Sequence, residues 1–258
     1  MLVTFGHKHK WVKKIESDIL VGFGKSNAKK ITNLLRKIET LDITSIFAPL
    51  DQSFLDWFVP LYNERIRSKE NPNLHDIYAA TLGKAEKKFP YYTLTLFEAG
   101  IPIGGAIFTL RTYKLSIAFR VYFPDWQVNK KLACSPALFA EYIITKHAQE
   151  KNKTKLVHGS DRNPYGIYSS IGVAIFKLSV GCYPVVQYNP EIETIDTTTV
   201  QKNIFLLELP KQQRRITDAY LITTKDAAKN FEQALKYENQ LRVQIIYRDN
   251  NELDASKS

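Results

Sequence analysis

Ionisable and aromatic side chains crowd into residues 158–168, a polar turn that follows the short apolar run 155–157. Asp161 comes directly after this predicted strand. Partial burial there would raise the pKa of its carboxyl group and let it accept a proton from an amine nucleophile. Asp161 is therefore our candidate base. The alternatives are an Asx-turn or a salt bridge to Arg162.

Three further side chains near this turn are candidates for hydrogen bonding or charge stabilisation. Tyr165 and Tyr168 could donate a hydrogen bond to a developing oxyanion or to a leaving group, or could serve in packing. Lys177 lies within the apolar segment 173–178, which we predict as a strand. On the pattern of that segment alone, its side chain would face solvent. His158 is a weaker candidate base, because a single histidine at a strand end is usually structural.

The surrounding elements predict how these residues are held. Alternation and turn residues predict three consecutive antiparallel strands over 91–98, 103–110 and 114–121. Ser135 and Pro136 are an N-cap and a first-turn proline, so a helix should run from there to about residue 150, before a strand over 155–158. Further predicted elements are helices over 26–40, 51–69 and 225–238, strands over 203–209, 219–223 and 242–247, and a strand pair or partly ordered lead-in over 1–18.

The order of these elements resembles the GNAT superfamily. Within it, E-A-G-I-P-I-G-G-A-I-F at 98–108 and Y-S-S-I-G-V-A-I-F-K at 168–177 resemble the branch of FemAB peptidyltransferases and CelD-type acetyltransferases. The resemblance covers about residues 20–190 and implies an α+β fold, a mixed, mostly antiparallel sheet flanked by helices. It divides the chain into a basic lead-in (1–24), an acyltransferase core (25–190) and a C-terminal β/α extension with a frayed tail (191–258).

The resemblance also implies an N-acyltransferase that takes its acyl group from a CoA thioester such as acetyl-CoA, or from aminoacyl-tRNA, and passes it to an amine whose identity the sequence does not give. Phe176-Lys177 matches a Phe-Lys element whose lysine lies near the acyl-transfer centre in that branch, so the resemblance implies that Lys177 stabilises a tetrahedral intermediate. No metal is implied.

The donor's phosphates would lie at the start of the helix near residue 135, where free backbone N–H groups and the helix dipole favour anions. This sequence lacks the glycine pattern of GNAT enzymes there, which weakens the case for acetyl-CoA; the FemAB-like branch depends less on it. An ordinary capped helix is the alternative. The predicted cofactor-binding residues are Lys130, Lys131, Cys134, Ser135 and Ala137.

The chain carries a net charge of +10, and the excess is concentrated near its start. Residues 1–40 contain nine basic and three acidic side chains. Such a surface attracts polyanions, either a CoA nucleotide or tRNA. A solvated basic surface is the plain alternative. A second functional class is a non-catalytic RNA-binding or scaffold protein on a degenerate acyltransferase fold.

Other features exclude several classes of protein. No apolar run reaches about 18 residues, so we predict no transmembrane segment and a cytoplasmic location. Cys134 and Cys182 are too few for a disulfide framework, lack metal-ligand spacing and have no evident histidine partner. Gly22–Ser26 resembles part of a P-loop, but Ile19 stands where that motif needs glycine. We therefore predict a glycine-rich turn there, with Ser26 as the helix N-cap.

Overall fold

The computed structural model describes residues 1–68, 74–82, 89–123, 126 and 132–248. The chain divides into two compact units. The contiguous unit is Lys13–Gly159, and the discontinuous unit combines Met1–Val12 with Ser160–Ser258. Each unit is described separately below. The predicted segment boundaries at residues 24 and 190 stay predictions.

The described strands are numbered in chain order. They are β1 (Leu2–Gly6), β2 (Lys8–Lys14), β3 (Ile43–Pro49), β4 (Tyr91–Glu98), β5 (Ile101–Leu110), β6 (Lys114–Tyr122), β7 (Lys155–Arg162), β8 (Tyr183–Val186), β9 (Ile192–Asp196), β10 (Ile204–Leu207), β11 (Asp218–Thr223) and β12 (Arg242–Tyr247).

The described α-helices are α1 (Lys25–Leu35), α2 (Gln52–Arg67), α3 (Ile77–Thr81), α4 (Pro136–Glu150), α5 (Ile171–Ser179) and α6 (Lys225–Ala228). Four short 3-10 segments accompany them, at Ile19–Gly22, Glu39–Leu41, Thr197–Thr199 and Lys229–Tyr237.

The contiguous unit is built on a mixed sheet. Strands β3, β4, β5 and β6 pair with their neighbours in antiparallel order, and β7 pairs with β6 in parallel. The predicted antiparallel run of three strands and the mixed, mostly antiparallel fold class are therefore confirmed. Successive side chains of a strand point to opposite faces of the sheet, so one strand can serve two layers.

Helices α2 and α4 cover the two faces of this sheet. Ile107 of β5 packs in one cluster with Phe54 and Phe58 of α2. The next residue, Phe108, points to the other face, where its ring lies 5.9 Å from that of His147 in α4. The α2 N-cap is Asp51, whose side chain accepts from the Phe54 N–H. The alternating apolar positions of β5 thus fix a three-layer arrangement within this unit.

The discontinuous unit contains three groups of strands. β1 pairs with β9 and β2 pairs with β8, both antiparallel. β10 is antiparallel to β11, and β11 is parallel to β12, with α6 between these two strands in the chain. The predicted lead-in strands exist, but each pairs with a strand from the C-terminal part of the chain. Val3 and Phe5 of β1 pack in one buried cluster with residues of β10 and β11, namely Ile204, Leu206, Tyr220 and Ile222.

Three predictions about helices need correction. The segment 173–178 is not a strand but part of α5, because Ser170 caps the helix at the Gly172 N–H and the apolar residues recur at helical spacing. Helix α1 begins after Gly24, which is its N-cap in place of Ser26, and α1 ends at Leu35. The predicted helix over 225–238 is α6 followed by a 3-10 segment. Among the described residues, no helix has the length and apolar character needed to cross a membrane.

Candidate active site

Asp161 and Lys177, two of the predicted catalytic residues, form a buried ion pair within the discontinuous unit. Asp161 stands near the end of β7 and Lys177 in the last turn of α5. Lys177 Nζ donates to Asp161 Oδ2 at 2.5 Å. The Lys177 side chain is 5% exposed and the Asp161 side chain is 16% exposed. The sequence predicted both residues, while the helical placement of Lys177 explains how it reaches inward.

Tyr165 joins the same pair through its hydroxyl group. Tyr165 Oη donates to Asp161 Oδ2 at 2.7 Å, and the tyrosine side chain is fully buried. Both hydrogen bonds to the carboxylate therefore end on Oδ2. Oδ1 accepts no hydrogen bond from any described residue.

His9 and Trp11, which sequence reasoning missed, complete the cluster. Trp11 Nε1 donates to Tyr165 Oη at 2.6 Å, and His9 Nε2 lies 2.7 Å from the same oxygen. Both side chains are buried, whereas Lys8, which precedes His9, and Lys10, which lies between His9 and Trp11, are exposed. This alternation in β2 was the available signal, because it marks an inward-facing histidine and tryptophan.

The electrostatics of the cluster correct one expectation. Burial does act to raise the pKa of Asp161, but the Lys177 ammonium and the hydrogen bonds from Lys177 and Tyr165 outweigh it, so the pKa lies below its usual range. Burial and the adjacent carboxylate raise the pKa of Tyr165 well above its ordinary value. The carboxylate is thus ionised and the phenol neutral at pH 7. Asp161 pairs with Lys177, not with Arg162 as one alternative had it.

Burial also lowers the pKa of His9 to about 3, although the charge of Asp161 opposes this shift. His9 is therefore neutral at physiological pH. A neutral histidine keeps one nitrogen as a donor and the other as an acceptor.

Tyr168 lies apart from the hydrogen bonds of this cluster. Its side chain is 39% exposed, with the Arg162 guanidinium 5.7 Å from its ring centre. Its other aromatic neighbour is His7, at 6.4 Å between ring centres. Tyr168 does not hydrogen-bond to Asp161 among the described residues. Its role as a donor to a leaving group stays a prediction.

The predicted phosphate-binding residues belong to the contiguous unit. Ser135 is the N-cap of α4, and its Oγ accepts from the Leu138 N–H at 3.2 Å, as the sequence predicted. Pro136 has no N–H group, so Ala137 supplies the free amide of this first turn. Cys134 is buried, which raises the pKa of its thiol to about 12. Lys130 and Lys131 lie outside the described residues.

The sheet of the contiguous unit has an incomplete parallel ladder. β6 and β7 pair only from Lys114–Lys155 to Ser116–Val157, although β6 continues to Tyr122. Ala118 and Gly159, each two residues beyond the last pair, are both exposed. A strand edge of this kind offers backbone N–H and C=O groups to an extended ligand that contains amides.

A second buried charged cluster lies in the contiguous unit. Glu141 of α4 is an acceptor for His158 Nε2 at 3.2 Å and Arg120 at 3.3 Å. Burial acts to raise the pKa of Glu141, but the neighbouring cations outweigh it and lower the pKa to about 2. His158, the weaker candidate base of the sequence, is only 2% exposed and is held by this carboxylate. This geometry favours a structural role for His158.

Comparisons with known proteins give structural matches only. No protein-family model matches the chain, and no curated protein matches it. The solved structures that match include FemX, with a TM-score of 0.48 and 14% identity over 68% of this chain and 59% of FemX.

Two further matches have lower scores. L-PGS from Bacillus licheniformis gives a TM-score of 0.43 and 13% identity over 62% of this chain and 46% of that one. A GCN5-related N-acetyltransferase from Anabaena variabilis gives 0.38 and 15% identity over 63% and 35%. The chain spans less than two thirds of the length of each, and we base its function on its own residues.

Proposed function

We propose that this protein is an N-acyltransferase that moves an acyl group, acetyl or aminoacyl, from a CoA thioester or an aminoacyl-tRNA to an amine. One observation carries the proposal. The buried Lys177–Asp161 pair places a cation beside a carboxylate whose Oδ1 is available to a substrate. Amine attack on an acyl carbonyl creates positive charge on nitrogen and negative charge on oxygen, and this pair complements both.

In the proposed reaction, Asp161 Oδ1 accepts a hydrogen bond from the N–H of the incoming amine. This bond orients the nitrogen lone pair towards the acyl carbonyl carbon. As the C–N bond forms, the carboxylate stabilises the positively charged nitrogen and Lys177 stabilises the oxyanion. The intermediate collapses with loss of the thiolate of CoA or the ribose oxygen of tRNA, and the proton given up by nitrogen ends on that leaving group.

The lowered pKa of Asp161 defines its part in this scheme. Such a carboxylate is a poor final base, because a general base works best when its pKa lies near the working pH. Asp161 therefore acts by orientation and charge, and holds the proton only while it passes to the leaving group.

The contiguous unit, considered by itself, offers groups that suit the donor. The amides of a pantetheine arm suit the edge of β6 beyond Ser116, where no described strand pairs with it on the β7 side. Its phosphates suit the Ala137 amide at the start of α4, with Lys130 and Lys131 as further predicted contacts. Aminoacyl-tRNA would use the same basic groups through its terminal phosphates. The cytoplasmic location stays part of the proposal.

The direct test uses hydroxylamine as a small amine acceptor, with acetyl-CoA or alanyl-tRNA as donor, and measures hydroxamate formation by the purified protein. We expect Asp161→Asn and Lys177→Ala each to lower the chemical step by roughly 10²–10⁴-fold. Lys155→Ala, an exposed lysine on β7, is the control and should keep the wild-type rate. Thermal-shift measurements with each donor separate CoA from tRNA. Wild-type rates in both site variants would sink the proposal.

An RNA-binding function without catalysis is the second candidate, and the surface of α1 favours it. Lys25, Lys29 and Arg36 are exposed and fall on one helical face. This alternative predicts RNA binding that weakens steeply with salt, while neither donor gives any turnover.

A further inference from the structure

Tyr165 Oη is bonded to its full capacity within the discontinuous unit. A tyrosine hydroxyl has one proton to donate and two lone pairs that accept. An ionised carboxylate only accepts, so the proton points to Asp161. The indole N–H of Trp11 only donates, so it takes one lone pair. The third neighbour, His9 Nε2, can only donate to the second lone pair.

This count fixes the state of His9. Its proton must be on Nε2, which leaves Nδ1 as a bare acceptor, and Nδ1 is buried with no hydrogen-bond partner among the described residues. His9 is 1% exposed and Trp11 is fully buried, so neither side chain touches solvent or can reach a substrate directly. Their effect on chemistry must pass through Tyr165.

We infer that His9 and Trp11 are positioning residues for the acyl transfer proposed above: both donate to Tyr165 Oη, direct its proton to Asp161 Oδ2, and thereby turn Asp161 Oδ1 towards the amine substrate. This inference rests on the proposed function. It also assigns Tyr165 to the support of Asp161, because the single proton of its hydroxyl group is already used.

The arrangement has a chemical reason. Lys177 alone would hold Oδ2 by one flexible ammonium group, which leaves the carboxylate free to rotate about its Cβ–Cγ bond. The second bond, from Tyr165, comes from a rigid ring. That ring is itself fixed by two aromatic donors on one strand, whose ring centres lie 5.5 Å (His9) and 6.5 Å (Trp11) from its own. A fixed Oδ1 places the amine lone pair in line with the acyl carbonyl.

The first experiment needs no activity. Long-range ¹H–¹⁵N spectra of ¹⁵N-histidine-labelled protein at pH 5, with assignment by comparison to His9→Gln, should show a protonated Nε2 and an unprotonated Nδ1 for His9. A proton on Nδ1, or a doubly protonated ring, would overturn the inference whatever the protein catalyses.

The second experiment separates positioning from simple structural support. His9→Leu and Trp11→Phe remove one donor each, and we expect kcat for hydroxamate formation from the donor identified above to fall roughly 10- to 100-fold, with the KM for that donor unchanged. His9→Gln, whose amide N–H can replace Nε2–H, should recover most of the rate. Folding is checked by the melting transition of each variant.

The outcomes are distinguishable. Wild-type kcat in His9→Leu and Trp11→Phe, with the inferred tautomer present, would show a structural role only and would refute positioning. Equal loss in His9→Gln and His9→Leu would do the same. Absence of acyl transfer by the wild-type protein, together with the inferred tautomer, would reject the proposed function and the positioning role but leave the hydrogen-bond assignment in place.

Discussion

Lys177 and Asp161, sixteen residues apart, meet at 2.5 Å between Nζ and Oδ2 with both side chains largely removed from water. Desolvation of two charges is costly, and mutual attraction repays it only when further hydrogen bonds complete the site. Tyr165 supplies one such bond. A buried ion pair of this kind is therefore weak evidence for a stabilising role.

A double-mutant cycle tests the energetics of this pair. Asp161→Asn or Lys177→Met alone leaves one buried charge without its partner, and each should lower the free energy of unfolding by about 3 kcal/mol. The double variant removes both charges and should be more stable than the sum of the two losses predicts. Urea unfolding at pH 7 measures all four proteins. Additive losses would show that the two charges do not interact.

The stability of the protein should fall between pH 7 and pH 5 because of His9. Its pKa is about 3 in the folded chain and about 6.5 when unfolded, so the unfolded state binds the proton first as the pH falls. Stability from this residue is present above pH 6.5 and is reduced by roughly 2 kcal/mol at pH 5. His9→Gln should flatten this part of the profile, measured by urea unfolding at each pH. His75→Gln, at an exposed histidine, should leave it unchanged.

Tyr165→Phe should destabilise the fold and also raise the pKa of Asp161. The buried N–H groups of Trp11 and His9 lose their acceptor, at a cost of roughly 2–4 kcal/mol in total. The pKa of Asp161 rises because a hydrogen bond to its charged form is lost. A ¹³C titration of the carboxyl carbons measures the shift. Tyr188→Phe, at an exposed tyrosine, is the control, and an unchanged Asp161 titration would contradict the hydrogen bond.

Side chains added at Gly159 should interfere with acetyl-CoA without unfolding the protein. A Cβ at this position would meet the Ile117 and Ala118 carbonyl oxygens at 3.8 and 3.9 Å, which is ordinary contact. Gly159→Ala should therefore behave like the wild type. Gly159→Leu should fill the exposed edge beside Ala118 and raise the KM for acetyl-CoA at least 10-fold, as measured by hydroxamate assays. Equal KM values in the two variants would place the donor elsewhere.

The sequence predicted those features that depend on neighbouring residues. Ser135 and Pro136 mark the start of α4 because capping is local, and alternation located β4, β5 and β6. The segment around Lys177 is short and almost entirely apolar. The spacing of apolar residues in such a run does not distinguish a strand from a helix. The cap at Ser170 was the cue that favoured the helix.

The parts of the site that the sequence did not reveal depend on distant pairing. His9 and Trp11 meet Tyr165 across more than 150 residues of chain. Lys177 and Tyr165 set the direction of the pKa shift at Asp161. The distances from their side chains to the carboxylate cannot be worked out from the spacing of the residues in the sequence. Burial alone suggested a raised pKa, and the partners reversed it.

The division of the discontinuous unit between the two ends of the chain imposes an order on its biosynthesis. β1 pairs with β9 some 190 residues later, and β2 pairs with β8. Residues 13–159 are synthesised between β1 and its partner β9, so β1 must wait on the order of ten seconds as an unpaired segment at ordinary translation rates. The strand that carries His9 and Trp11 is likewise made long before β8, and chaperone binding to the nascent chain should concentrate on β1 and β2.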